Sequence, residues 1–247
     1  MVQPSAQDLQ WKHLQPPHNV SFKHRSYQKE LLDGKNIPFE DIKLNMQELD
    51  FINKYLGGHR ITINGIKALA GKPVLHIAEI GCGGGDNLRV IKNWCSKKNI
   101  EVQLTGIDIN KECIAFAIER PANKGINFIC SDYSLMQFEQ LPDIIFSSLF
   151  CHHFSDDELI QMMRWTHKHS KCGFFINDLH RHSLAYYSIK FLTKVFSKSY
   201  MVKNDAPLSV KRGLLRNEWK RIFANAGIKN YQIKWQWAFR WLIICYK

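Results

Sequence analysis

The stretch HIAEIGCGGGDNL, residues 76–88, decides the fold. An apolar run ends in Glu79, glycines follow at Gly81, Gly83, Gly84 and Gly85, and an amphipathic segment resumes at once. A glycine-rich step from strand to helix lets the backbone take positive φ and lets a ligand approach the main chain closely. In an open parallel sheet that step lies on the carboxyl edge, where ligands bind.

Outward from this step the same texture repeats. Apolar runs at 102–108, 126–132, 143–150 and 172–178 join 74–79 as predicted strands, and amphipathic stretches at 85–98, 110–120 and 156–169 read as the helices between them. That alternation is the mark of a parallel sheet in an α/β domain. A further helix is expected over 217–226, with Asn217 as its cap and Gly227 as its stop, and the tail 231–247 reads as two β segments around a tight turn near 236–238. Before the sheet, Ile42, Met46, Leu49, Ile52 and Leu56 recur at helical spacing and the pattern stops at Gly57 and Gly58. Residues 26–70 are therefore expected to be helical, and 1–22, with Pro4, Pro16 and Pro17, to be a loose arm or lid. The expected organisation is an arm and helical cap over 1–70 and a ligand-binding domain over 71–247, with an insertion at 183–215.

At 247 residues, 45% hydrophobic and 23% charged, the chain suits one such domain with a substantial core. No run approaches the length of a membrane span, and the first residues lack a basic flank and apolar core, so a cytoplasmic location is expected. Seven cysteines without a C-x-x-C pair argue against a disulfide framework or a closed zinc site and read as small core residues; no metal is expected. The net charge of +12 points toward an anionic partner or a merely solvated basic surface, but no block of like charge marks a nucleic-acid tail.

The ligand follows from what the turn lacks. No G-K-S/T run follows the glycines, so the turn is not a P-loop, and a dinucleotide turn aligned on Gly81 and Gly83 would need glycine where Asp86 stands. Acidic side chains there suit a ligand with positive charge and no phosphates. With this segment the chain resembles the class I S-adenosylmethionine (SAM)-dependent methyltransferases, whose first motif is an acidic residue followed by G-x-G-x-G, here E-I-G-C-G-G-G. The resemblance covers about 71–247 and implies a Rossmann-like fold: a seven-stranded, mostly parallel sheet in the order 3-2-1-4-5-7-6, with an antiparallel C-terminal hairpin and an N-terminal helical cap. It implies that Glu79, Gly81, Gly83, Gly85 and Asn87 hold SAM, that Asp108 accepts from the ribose hydroxyls and Asp132 faces the adenine amine, and that Ile109, Tyr133, Leu149 and His152 also lie at the cofactor.

The acceptor side is less determined. The run LFCHHFSDDEL after the fourth strand and NDLHRHS after the fifth place His152, His153, Asp178, His180 and Arg181 at one sheet edge. A neutral imidazole can take a phenolic proton, and His153 and His180 are the expected bases; the plainer alternative is that these histidines only orient or pack. Asp178, Arg181, Tyr186 and Tyr187 are expected around the substrate. In the insertion, aromatics interleave with Lys190, Lys194, Lys198 and Lys203, which fits a lid over an aromatic substrate, a packed helix or an interfacial helix against anionic lipid. The cap resembles that of small-molecule methyltransferases, within which the chain most resembles bacterial enzymes of aromatic polyketide or quinone-like acceptors. The expected activity is methyl transfer to a small-molecule acceptor, on the oxygen of a phenol or enolisable aromatic. An RNA or tRNA methyltransferase and a non-catalytic SAM-binding subunit are the alternatives; the first lacks an appended RNA module and any N-P-P-Y run. The oligomeric state is left open by the sequence.

Overall fold

The computed structural model describes residues 21–34, 36–71 and 74–247. The expected arm at 1–22 lies almost wholly outside them. Two cap helices, α1 (Phe39–Tyr55) and α2 (Gly58–Leu69), lead into β1 (Val74–Ile80), α3 (Asp86–Ser96), β2 (Glu101–Asp108), α4 (Lys111–Glu119), β3 (Asn127–Cys130) and β4 (Ile144–Ser148). Then come α5 (Asp156–His169), β5 (Gly173–Leu179), α6 (Ser183–Phe196), α7 (Tyr200–Arg212), α8 (Arg216–Ala226), β6 (Tyr231–Gln236) and β7 (Arg240–Tyr246). The sheet has seven strands in the order β3-β2-β1-β4-β5-β7-β6, as the resemblance implies, with only the β7 pairings antiparallel.

Alternation along each strand divides two cores. Leu75 and Ile77 of β1 join Leu242 and Ile244 of β7 under α2 and α3, against Ile61, Ile66, Leu88 and Ile91. Ala78 and Ile80 face the other way with Trp241 and Ile243, against Leu159, Met162, Trp219 and Phe223 of α5 and α8. Trp219 is fully buried, and truncating it to Ala costs on the order of 3–5 kcal/mol. The cysteines are all free thiols, and Cys82, Cys95, Cys113, Cys151 and Cys245 are buried.

Two local expectations are corrected. The described residues of 26–38 are not helical apart from a single 3-10 turn at Leu31–Asp33, and Pro38 sets the start of α1. This segment is instead spent on long-range contacts, with Leu31 and Leu32 donating backbone N–H bonds to Asp205 at 2.8 and 3.0 Å. Asn217 lies inside α8 rather than capping it; the helix begins at Arg216, and Glu218 accepts the Leu215 N–H at 2.7 Å. By contrast, Ser155 and Glu158 form a reciprocal capping box on α5.

The register places the chemistry. Glu79 pairs with Gly106 and Phe146, and Ser148 with Asn177, so the ends of β1, β2, β4 and β5 open onto one edge. The cap covers that edge: α1 sends Ile42 and Met46 into a small core with Cys113 and Phe116 of α4.

Candidate active site

The glycine turn is closed by the backbone. Gly81 and Cys82 both donate to the Ile107 carbonyl, at 2.8 and 3.1 Å. Gly81 sits at φ 68°, and a Cβ there would stand 2.1 Å from the Phe150 ring, so no other residue fits. The Gly83 amide donates to Asp108 Oδ2 at 2.8 Å, and Asn110 donates to Oδ1 at 2.9 Å, which fixes the carboxylate at the end of β2. Burial nevertheless pushes the Asp108 pKa up.

Glu79 is buried beneath the turn. Asn87 donates to its Oε1 at 3.0 Å and is itself held by Thr62 at 2.9 Å, while Glu79 Oε2 is buried with no hydrogen-bond partner among the described residues. Burial, with Asp86 and Asp108 adding to it, raises the Glu79 pKa well above the usual carboxylate range. A buried carboxyl with a spare acceptor is what an ammonium-bearing ligand would relieve. Asp86, expected from the sequence to favour a positively charged ligand at the turn, is turned to the cap instead, accepting from Asn53 at 3.0 Å and meeting His59 at 2.8 Å. Arg89 turns away to Asp50 and Asn123, so it is not aimed at the turn as a phosphate partner. Gly85 opens α3 at φ 71°, and Ile109, beside Asp108, is 71% exposed as an apolar platform at the sheet edge. Asp132 accepts from the Ser134 amide and hydroxyl at 2.8 Å each, and Tyr133 packs against Phe150, Phe154 and Trp165. The set fits SAM: acidic acceptors, an apolar platform and no phosphate cradle of cations.

Against the ends of β4 and β5, at Leu149 and Leu179, lies a cavity of about 430 Å³. Its walls are apolar: Leu49, Ile52 and Leu56 from the α1 stripe, Ile189 and Leu192 from α6, Val202 and Val210 from α7, and Trp235, Trp237 and Phe239 from the terminal hairpin. Leu149, held at φ 52°, turns the chain from β4 into its wall.

The polar floor comes from the β4 loop and the N-terminal segment. His152, 2% exposed, has Nδ1 at 2.7 Å from Asp178, which also accepts the His152 backbone N–H at 3.2 Å. Its Nε2 lies 3.4 Å from Glu30 Oε1 but makes no aligned hydrogen bond among the described residues. Burial opposes the charge, yet Asp178 and Glu30 together raise His152 to about 9. The same pairing holds Asp178 and Glu30 below the usual carboxylate range despite their burial. His153 repeats the arrangement, with Nδ1 at 2.9 Å from Asp33 and Nε2 at 3.7 Å from Glu30 Oε2.

The structure thus brings His152, His153 and Leu149 to one cavity and leaves other nominated residues outside its lining. His180 sits against Trp241 and His182, and burial followed by the charges of His182 and Arg181 lowers it to about 4. Arg181 is buried in structural bonds to Phe22, Gly213 and Glu218. Asp178 reaches the cavity only through His152. Tyr186 packs on Phe22 while Tyr187 faces solvent, and α6 lines the cavity with Ala185, Ser188, Ile189 and Leu192 instead. Its outer face exposes Phe191, Val195 and Phe196 beside Lys190 and Lys194.

Sequence reasoning missed Glu30, Asp33, Asp205 and Arg240. Arg240, buried on the cavity wall, donates to Asn53 at 3.0 Å while its Nη1 has no partner among the described residues; burial pulls it to about 10. None of these residues carries a local motif. The clue available was Glu-Leu-Leu-Asp at 30–33, two acids straddling an apolar pair in a segment with no helical stripe of its own.

Residues 77–173 match the family described as methyltransferase domain. No curated protein sequence matches the chain. Among solved structures, the plantazolicin methyltransferase BpumL in complex with SAH is similar with a TM-score of 0.61 and 20% identity, over 84% of this chain and 90% of that one. Human N-acetylserotonin methyltransferase in complex with SAM gives 0.60 and 16%, over 90% and 63%. A SAM-dependent methyltransferase from Aquifex aeolicus gives 0.57 and 14%, over 82% and 97%. At these identities the structural likeness establishes the fold, and the domain match adds the activity that goes with the glycine turn.

Proposed function

We propose that this SAM-dependent methyltransferase methylates a hydroxyl on a small, largely apolar aromatic acceptor, a phenol or enol, seated in the cavity between α1, α6, α7 and the terminal hairpin. The observation that carries the reading is an apolar cavity of about 430 Å³ floored by a histidine whose other ring nitrogen is held by a buried carboxylate. A volume of that order suits a small molecule, and apolar walls with a few polar groups fix its orientation. Such a cavity offers no basic groove for an RNA backbone.

SAM, held by Glu79, Gly81, Gly83 and Asp108, supplies a methyl group activated for in-line displacement. The chain then has two tasks. The α1, α6 and hairpin side chains orient the acceptor and exclude water. The hydroxyl proton goes to His152 Nε2, and Asp178 stabilises the imidazolium that results, as a buried carboxylate does for an orienting imidazole. We assign this role to His152 rather than His153, because burial and the 2.7 Å bond to Asp178 fix its ring, whereas His153 lies at the cavity's more open side as a positioning group. A second reading, transfer to an amine, is favoured by one feature: the buried Glu30 carboxylate on the cavity wall could hold a cationic acceptor.

The test is release of S-adenosylhomocysteine on a panel of phenols, quinols, aryl amines and bulk tRNA. Turnover is expected with phenols or quinols. Turnover confined to amines would move the acceptor atom to nitrogen, and turnover on tRNA alone would overturn the small-molecule reading.

A further inference from the structure

The floor of the cavity has the donor set of a metal site. Glu30, His152 and His153 present a carboxylate oxygen and two imidazole nitrogens that all lie within 4.8 Å of one another. Glu30 stands 3.4 Å from His152 Nε2 and 3.7 Å from His153 Nε2. Donors about 2.0–2.2 Å from a common ion are separated by roughly 3–3.5 Å, and the two imidazole spacings, made to different oxygens of Glu30, lie close to that range.

Orientation adds an independent argument. Each ring gives its Nδ1 to a separate carboxylate, His152 to Asp178 at 2.7 Å and His153 to Asp33 at 2.9 Å, which leaves both Nε2 atoms turned toward Glu30. Metal-bound histidines characteristically hand their second nitrogen to a carboxylate in this way, fixing the ring and raising its basicity. His152 Nε2 is buried without a hydrogen-bond partner among the described residues, in a ring only 2% exposed. Glu30 is itself steadied by the Ser209 hydroxyl at 2.8 Å, and Asp33 by the Arg212 guanidinium at 3.1 Å. Arg212 approaches Glu30 Oε1 at 3.9 Å but directs its N–H groups to the carbonyls of Gln28, His152 and His153 and to Asp33. It therefore forms an outer layer to the cluster. The other acid and histidine group, Asp50, His59 and Asp86, differs in this respect, because Arg89, Arg120 and Asn53 already satisfy its carboxylates.

We infer that Glu30, His152 and His153 bind a first-row divalent transition-metal ion at the cavity floor, with its remaining positions open to the acceptor. Two imidazoles with one carboxylate favour zinc, iron, cobalt or nickel over magnesium or calcium, which prefer oxygen donors. An ion there would present a Lewis acid to an acceptor oxygen, lowering its pKa. The inference depends on the proposed function only for that use of the open positions. With an ion bound it replaces the base assignment for His152, since a lone pair that binds a metal cannot also take a proton; that assignment then describes the metal-free protein.

Tag-free, full-length protein stripped with a chelator is titrated with Co(II), followed by its visible absorption and by calorimetry. One equivalent should bind with ligand-field bands, be displaced by Zn(II) and raise the melting temperature. Glu30→Gln and His153→Ala should each abolish the bands, while Asp33→Asn, which keeps all three ligands but removes the carboxylate charge that orients His153 and pairs with Arg212, should weaken Co(II) binding about 10–100-fold. SAM affinity within about twofold of wild type certifies that each variant folds. Absence of Co(II) binding to the wild type, or bands that persist in both Glu30→Gln and His153→Ala, would overturn the site. Because the readout needs no acceptor, a failed acceptor panel leaves this result standing, and failed metal binding leaves the acceptor reading standing.

Discussion

The two halves of the site are built differently. The proposed cofactor side is assembled from neighbours in the chain: Glu79, the glycines and Asn87 fall within nine residues, and Asp108 reaches Gly83 directly across one strand pairing. The acceptor side is assembled from afar, with Glu30, His152, Val210 and Arg240 meeting around one cavity. The first half answers to a ligand whose chemistry is fixed, so its residues can stay local. The second must be shaped to a particular acceptor, and shape comes from tertiary packing of the cap, the paired helices α6 and α7, and the hairpin.

The sharpest way to break this comparison is at the cavity floor. His152→Ala and Asp178→Asn should each slow single-turnover methyl transfer by roughly a hundred- to ten-thousandfold while leaving SAM affinity within about threefold, whether His152 takes the proton or binds an ion. If either variant instead lost SAM binding in proportion to rate, the floor would belong to the cofactor side and the division would fail.

The matching cut on the cofactor side is smaller. Asp108→Ala removes the carboxylate that we propose accepts from the ribose hydroxyls, each charge-assisted bond contributing roughly 1.5–3 kcal/mol, and should weaken SAM at least tenfold by calorimetry. It also frees the Gly83 amide that Asp108 holds, so part of the loss will come from the turn itself. Unchanged affinity would remove Asp108 from the cofactor contacts.

Legibility follows the same line. The strands, the two terminal β segments and the glycine turn could be read because each rests on local periodicity or on a spacing within one βα unit, whereas the sheet order came only with the family resemblance. The apolar stripe of α1 was visible too, but not that Leu49, Ile52 and Leu56 line a cavity while Ile42 and Met46 fill a core. Glu30 was marked only by the Glu-Leu-Leu-Asp run, because the side chains that meet its carboxylate lie far along the chain, at 152, 153 and 209. His152 and His153 were correctly set at the sheet edge, yet which ring would be buried depended on Asp178, one residue short of the end of β5. His180, the residue after the end of β5, meets Trp241, whereas its neighbour Leu179 lines the cavity.

Acidity offers a way to sharpen the comparison in metal-free protein. With His152 raised to about 9 by Asp178 and Glu30, transfer should climb with pH and level off near that value, and the climb should vanish in His152→Ala. Stability should move oppositely. A histidine whose folded pKa exceeds its unfolded value of about 6.5 contributes stability that is fully present below 6.5 and lost as pH rises through about 9. Asp178 and Glu30, both depressed, contribute stability present above the unfolded carboxylate range and lost on acidification through their lowered values. Melting curves of wild type and His152→Ala across this range should therefore converge at the alkaline end. Parallel curves up to pH 10 would mean that the pair does not titrate as described.

The smallest effect is expected at His180, and it tests the comparison by silence. The ring lies against Trp241 with centroids 4.7 Å apart and near His182 at 5.7 Å, outside the cavity lining. Burial and the neighbouring positive charges bring it to about 4, so it is neutral at working pH and undergoes no change of charge between pH 5 and 8. A neutral imidazole is the correct form for a base, which is why position must decide the matter. Its amide donates to the Phe239 carbonyl at 2.8 Å, and a bridge to Leu214 ties the same residue to the segment before α8, so its backbone has a structural task that alanine preserves. His180→Ala should then cost some packing against Trp241, visible as a modestly lowered melting temperature, with transfer slowed less than tenfold at every pH. A loss beyond tenfold that follows a titration, with SAM affinity intact, would place His180 on the acceptor after all and require the cavity to be redrawn around β5.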